Sequence, residues 1–258
     1  IASAALSSCL SLALGTGLSL WPFLRKKLSL QFVRGKVSPA LLGNIFYNGS
    51  SEFFSNIAGS LLMIVLNSIL LRLSGSLAVA AFSIVLYVDS VVSSLLYGVA
   101  DAMQPAISYS YGAGRRQRLL AFERRVLLAG ALICLITLLT MRLGGAEIIR
   151  LFVRQADPAL VELSLRAMSL FSFTYLTVWI GVGLGSFFTA VNRPGFSLCL
   201  ALGRALGFPL AALVVLVQVL GIDGVWLTAP VNGVLTAVTA LGFLLVFLAR
   251  ERREWQKA

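Results

Sequence analysis

Histidine is absent from the 258 residues, and charge is scarce: 12% of positions are Asp, Glu, Lys or Arg, with 10 acids against 21 bases. Without imidazole there is no general base of that type, no Ser-His-Asp triad, no histidine-bearing zinc site and no histidine-ligated haem. A GxSxG nucleophile motif is also missing, which argues against an intramembrane enzyme. Cys9, Cys134 and Cys199 lie singly in apolar stretches without CxxC spacing, so they read as small core residues and not as a disulfide framework. What is abundant is apolar: 59% of residues are hydrophobic, and the mean hydropathy is +0.93. A soluble domain of this length cannot bury so much apolar surface. A membrane-crossing helix takes about 20 apolar residues. Seven such stretches occur, at 1–23, 39–71, 77–104, 125–141, 158–190, 196–219 and 225–249, which predicts an all-α polytopic transmembrane bundle.

The basic residues cluster in alternate connections. Arg25, Lys26, Lys27, Arg34 and Lys36 follow the first stretch, Arg115, Arg116, Arg118, Arg124 and Arg125 follow the third, Arg193 follows the fifth, and Arg250, Arg252, Arg253 and Lys257 follow the last. The opposite connections hold only Arg72, Arg142, Arg150, Arg154 and Arg166. By the positive-inside rule the rich side is cytoplasmic, which predicts a multi-pass protein of the cell (inner) membrane with a cytoplasmic C-terminus. The basic excess is therefore topology, with some contact to anionic lipid, and no nucleic acid partner is expected. Seven crossings that end inside must begin outside, and no leader precedes Ile1, so the chain is expected to be a fragment lacking an N-terminal part. Ser38-Pro39 and Asp157-Pro158 each place a capping oxygen before a proline at the first helical position. Asn192-Arg193-Pro194-Gly195 and Gly221-Ile222-Asp223-Gly224 read as turns, and Ala146–Phe152 reads as a short amphipathic interfacial stretch.

Ionisable groups within spans are functional candidates because they are costly to insert. Four stand out: Glu52, Asp89, Asp101 and Arg204. Glu52 and Asp89 each fall roughly 18–20 Å along their helices at about 1.5 Å per residue, near the bilayer middle, so one cavity can hold both. Asn44, Asn48, Glu52 and Asn56 recur every four residues on one face. The next span repeats the device with Asp89, Ser93, Tyr97 and Asp101. A carboxylate so placed can bind a metal cation, attract an organic cation or take up a proton; the amides and acids can alternatively serve only to bond neighbouring helices. Asp101 and Arg204 lie at equal depth, which predicts a structural or gating ion pair. Gly181-x-x-x-Gly185 reads as a close helix contact. Phe171, Phe173, Tyr175, Trp179, Phe187 and Phe188 crowd one span, where they either line a pocket for flat cations or pack in the core.

Gln104-Pro105-x-x-Ser108-Tyr109-x-Tyr111-Gly112-Ala113 resembles the QPxxSYxYGA segment of the multidrug and toxic compound extrusion (MATE) family. The run Asn192–Pro209, a turn leading into a helix with Arg204 before a proline, and the run G-I-D-G-V-W-L-T-A-P over Gly221–Pro230 extend the likeness across essentially the whole chain. The resemblance implies helices 6–12 of a twelve-helix, two-lobed antiporter of the MOP flippase superfamily. On it, 1–23 is the last helix of an absent N-lobe, 24–38 the cytoplasmic inter-lobe linker, 39–249 the six-helix C-lobe and 250–258 a cytoplasmic tail. It further implies export of small organic cations driven by Na+ or H+, with no organic cofactor and no fixed metal beyond a possible Na+ near Glu52.

Glu52 matches the acidic position of the seventh helix in this resemblance. Some branches add an acid on the tenth helix, but 167–190 contains neither Asp nor Glu, and Asp89 is the candidate to substitute from the eighth. The candidate coupling and substrate residues are thus Glu52, Asp89, Asn48, Asn56, Tyr97 and Tyr175. A lipid-linked oligosaccharide flippase is the nearest rival, and its anionic substrate calls for several cavity Arg or Lys residues. A non-transporting remnant is the other alternative.

Overall fold

The computed structural model describes residues 2–25, 38–152 and 157–255; the side chains of 2–5, 8, 23, 24, 47–52, 55 and 252–255 fall outside the description. It divides into two units, residues 1–44 and 45–258. The first unit contains helix α1 (Ala2–Leu24) and the start of α2 (Pro39–Gly112). The Ser38 hydroxyl accepts from the Leu41 amide at 3.2 Å, so the cap anticipated before Pro39 forms.

The second unit carries the rest of α2 and α3 (Arg116–Phe152), α4 (Pro158–Phe171), α5 (Val178–Ala190), α6 (Pro194–Leu202), α7 (Phe208–Leu220) and α8 (Ile222–Trp255). α2 is not one rod, because Ser74 and Gly75 leave helical geometry, and Gly75 takes φ of 68°, a backbone that a side chain disfavours. Its two parts, 39–73 and 76–112, correspond to two of the expected spans. α8 packs on α4, α5 and α7, and α3 packs on α4 and α5. Trp226 is fully buried against Phe82 at 5.8 Å between ring centroids. The turn before it is tight: a Cβ at Gly224 would stand 2.2 Å from the Leu216 carbonyl oxygen, so only glycine fits.

Among the described residues, five helical segments are long and apolar enough to cross a membrane by length and composition: Asn56–Gly112, Arg116–Phe152, Pro158–Leu176, Pro194–Leu220 and Ile222–Glu251. Seven stretches were expected. The difference arises because Asn56–Gly112 holds two of them end to end, while only the shorter run Cys9–Pro22 of the first stretch is apolar helix among the described residues. The stretch 158–190 departs further, being interrupted by a 3-10 turn over Ser172–Leu176. Ala146–Phe152 is no separate interfacial helix; it continues α3. The apolar surface is turned outward, with Leu143 87%, Leu151 84% and Val219 74% exposed, as suits a solvent of lipid tails.

One polar knot ties three chain segments at the end bearing the Asn192 turn. Glu251 of α8 is only 3% exposed. One of its oxygens accepts from the Tyr111 hydroxyl at 2.8 Å and from the Arg193 guanidinium at 3.0 Å. The end of α2, the α5–α6 turn and the end of α8 are thereby held together, and Asn192 takes φ of 54° to present Arg193. Removing one member of a fully buried pair costs about 3–5 kcal/mol, but Arg193 keeps 40% exposure. Glu251→Gln should therefore cost about 1–3 kcal/mol and Tyr111→Phe about 1 kcal/mol. Thermal unfolding in detergent checks this, and a Glu251→Gln protein as stable as wild type contradicts the knot.

Candidate functional site

The interruption of 158–190 has local causes. Ser172 competes for a backbone carbonyl, and Thr177 at the far end leaves helical geometry with φ −131° and ψ −23°. The Ser172 hydroxyl donates to the Ser169 carbonyl at 2.7 Å and accepts from Arg142 of α3 at 3.1 Å. That guanidinium also stacks 4.3 Å from the Phe173 ring centroid. Arg142 thus braces one side of the break, and Tyr175 is directed to the other.

Tyr175, 2% exposed, donates its hydroxyl to Asp89 of α2 at 2.9 Å. The second Asp89 oxygen lies 3.4 Å from the Ser93 hydroxyl one turn on. Asp89 and Ser93 border a cavity of about 190 Å³ with Phe171, Thr174, Arg204 and Asn232. The hydroxyls of Thr174, which lines this cavity, and of Thr177 are buried without a hydrogen-bond partner. Asp89, Tyr97 and Arg204 also border a larger space of about 750 Å³ whose opposite wall is Asn56, Gly59, Ser60 and Met63. Asn56, the last rung of the expected ladder, therefore faces the Asp89 cavity. The Asn48 and Glu52 side chains, and with them the candidate Na+ position, lie outside the described residues; their backbones are helical, Glu52 one turn before Asn56.

Asp101 and Arg204 line a third cavity of about 390 Å³ with Tyr97, Gln104 and Ser186. The expected ion pair between them is not formed. Asp101 accepts from the Gln104 amide at 2.9 Å, and the Arg204 guanidinium lies 5.5 Å from the Tyr97 ring centroid. Equal depth fixed only one coordinate, whereas a π turn over Gly203–Gly207 sets the direction of Arg204. In that turn the Phe208 amide bonds the Gly203 carbonyl, and Pro209 has no N–H, so the Arg204 carbonyl loses its helical donors. Asn232 of α8 supplies the replacement at 3.1 Å.

The aromatic crowd splits. Phe187 and Phe188 are fully buried beside Phe247, while Phe171 lines the Asp89 cavity and Tyr175 bonds to Asp89 itself. The glycine contact is also revised. A Cβ at Gly181 would meet Thr236 at 2.6 Å and one at Gly183 would meet Leu127 at 2.8 Å, whereas Gly185 has open space and lines the 390 Å³ cavity. Within the resembling motif, Gln104 faces that cavity, Tyr111 joins the Glu251 knot, and Pro105, Ser108, Tyr109, Gly112 and Ala113 are partly or fully exposed. Two acids escaped the sequence reading: Glu251, and Glu123 of α3, which is 4% exposed with neither oxygen bonded. Each sits in a basic run that reads as a surface connection.

A family model for MatE matches residues 53–221, more than half of the chain. This chain belongs to the MatE family. Members of this family are transporters and not enzymes, and the apolar helices of this MatE chain are those of a multi-pass membrane protein. Its fold is similar to an outward-facing multidrug resistance MATE family transporter of the MOP superfamily, with TM-score 0.85 and 19% identity over 98% of this chain and 56% of that one. A MATE structure in complex with MaL6 gives TM-score 0.83 and 20% identity over 96% and 56%. A MOP superfamily transporter from Pyrococcus furiosus, whose binding pocket is described as reversed in polarity, gives TM-score 0.83 and 19% identity over 99% and 57%. This MatE chain thus spans a little over half the length of the structures it matches. No curated protein matched it.

The carbonyl exchange in the π turn makes a direct prediction. Asn232→Leu should lower stability by about 1–2 kcal/mol by orphaning the Arg204 carbonyl. Adding Pro209→Ala should recover part of the loss by restoring an N–H. Thermal unfolding of both variants checks it, and an unrecovered double variant contradicts the exchange.

Proposed function

We propose that this chain forms one lobe of a cation-coupled antiporter that exports small organic cations across the cell membrane, with Na+ or H+ as the coupling ion. The observation that carries the reading is the Asp89 carboxylate, held by Tyr175 of an interrupted helix at the edge of a cavity. Broken helices in transporters place irregular backbone and free polar groups where ions and substrates bind. Asp89 occupies the role that an acid on the tenth helix would otherwise have, approaching that helix from α2 and bonding to it. Glu52, one turn from Asn56, is the second acid of the site. The coupling cation and the organic cation alternate on these carboxylates, so that arrival of one releases the other.

The flippase alternative needs a cavity dominated by basic groups. Among the described lining residues Asp89 and Asp101 stand against Arg204, and that balance favours a substrate with a cationic centre. The reversed polarity described for the Pyrococcus furiosus protein is not proposed for this one.

Dye efflux from cells expressing the full coding sequence tests the proposal, first under a proton gradient alone and then with Na+ added. Wild type should export a cationic dye under one of the two ions. Asp89→Asn and Glu52→Gln, at matched membrane expression, should each lower the rate at least tenfold. Unimpaired efflux by both variants removes the acids from the mechanism.

A further inference from the structure

Glu123 is an acid sealed into an apolar helix contact. It lies on α3 and is 4% exposed, and neither of its oxygens has a hydrogen-bond partner. Its neighbours one turn away on either side are Leu119, Leu120, Val126 and Leu127, all apolar. Across the contact stands Gly183 of α5: a Cβ there would lie 3.7 Å from the Glu123 Oε1 and 2.8 Å from Leu127. Glycine at 183 is therefore what lets α3 close over the carboxyl. An ionised carboxylate in such a place is costly without a partner, and the group is far more stable there with its proton on.

Among the described residues, no charge on the surrounding elements offsets that cost. α5 carries no ionisable residue. α4 meets the far end of α3, where Leu165 packs on Gly145 and Arg142 bonds Ser172, so Glu162, Arg166 and Arg142 stand about 30 Å along the axis from Glu123. Tyr175 lies beyond Trp179, which packs on Gly130 two turns from Glu123, and is bonded to Asp89. On α2, Leu96 reaches Gly130, so residues near Met103 stand opposite Glu123. The nearest acid there, Asp101, is bonded by Gln104, and Tyr109 is exposed. Tyr111, with Glu251 and Arg193, is about 12 Å farther along. α8 rises alongside α5, with Thr236 at Gly181 and Phe247 at Phe187, so its residues after Glu251 lie farther still. On α3 itself Arg118 and Arg125 lie over the Phe122 ring, Arg124 is exposed, and Arg116 is two turns, about 10 Å, away.

Ser186 links this buried acid to open space. It is one turn from Gly183 on α5 and lines the 390 Å³ cavity with Tyr97, Asp101 and Gln104. Its hydroxyl, too, is buried without a partner. An unpartnered carboxyl and an unpartnered hydroxyl thus flank a single turn of α5, the second at the cavity wall. We propose that Glu123 is a proton-binding site of this lobe: the carboxyl holds a proton while α3 is closed on α5 and exchanges it with the 390 Å³ cavity through Ser186. In the relay the Glu123 O–H bond breaks as its proton passes to the Ser186 oxygen, and the proton already on that oxygen passes to water in the cavity. The carboxylate left behind is tolerated only when α3 and α5 part far enough to hydrate it, so proton occupancy follows the packing of these two helices. The site goes beyond the antiporter reading, whose two acids are both on α2.

Infrared spectra of the purified full-length protein in lipid at neutral pH test this, because the carbonyl stretch of a protonated carboxylic acid stands apart from the bands of a carboxylate. Wild type carrying carbon-13 glutamate should show an acid band displaced by the label, a measure independent of any variant's folding. Glu123→Gln, which keeps the shape of the neutral acid, should lose intensity from that band, and Asp89→Asn should retain it. Absence of a label-displaced acid band in wild type, or a Glu123→Gln spectrum equal to wild type in that region, overturns the proposal. Transfer to heavy water then times the exchange of the carboxyl proton. Ser186→Ala should slow it at least about tenfold, as expected for loss of a positioned relay group. Gly183→Ala, whose methyl displaces Leu127 from beside the carboxyl, should quicken it. A rate unchanged in either variant overturns the proposal. None of these readouts requires transport, so a failure of the antiporter reading shows separately in dye efflux.

Discussion

The hydrogen bond from Tyr175 to Asp89 depends on the helix failing to continue between Phe171 and Val178. An unbroken α-helix has no spare backbone groups and directs its side chains by a fixed rotation per residue. The 3-10 turn changes that rotation, swings Tyr175 toward α2 and leaves Thr174, on the cavity wall, with an unused hydroxyl. Arg142 secures the other side of the turn through Ser172 and Phe173. An acid on one helix is thus tied to the irregular segment of another, and on the proposed reading an ion or substrate arriving at Asp89 would act directly on that segment.

A second irregularity lies across the cavity. The π turn at Gly203–Gly207 is tolerated because Asn232 meets the carbonyl that Pro209 cannot serve. Both departures from helical geometry are therefore bonded, and both border the same space. Elsewhere the packing is tight. Gly181 and Gly183 let α5 approach α8 and α3, and Phe187, Phe188 and Phe247 fill the far side. At the end opposite the cavity's outer break, Glu251 joins α8 to Tyr111 and Arg193, so the deformable centre is framed by a closed knot.

Much of the architecture was legible in the residues. Hydropathy marked the apolar helices, and Ser38-Pro39 and Asp157-Pro158 announced helix starts that the structure places at those prolines, with the Asp157 carboxylate accepting from the Ala159 amide. The four-residue ladders correctly turned Asn56, Asp89 and Tyr97 to a common space. The break at Ser172–Leu176 was not legible, since it contains neither proline nor glycine and is held by the Ser172 hydroxyl and an arginine distant in sequence. Depth along a helix suggested an Asp101–Arg204 pair, but rotation about the axis decides contact, and the π turn resets it. Glu123 and Glu251 were hidden by the arginines around them: a charged run reads as solvent-facing, whereas each of these acids turns into the helix packing.

The central claim is that the coupling cation and the organic cation compete for one carboxylate. Binding of a cationic dye to the purified full-length protein, titrated against Na+ at fixed pH and against protons at fixed salt, tests it most directly. The account predicts that the apparent Kd rises in proportion to one of the two cations in wild type and stays flat in Asp89→Asn. A wild-type Kd independent of both cations, or an unchanged competition in Asp89→Asn, would contradict it.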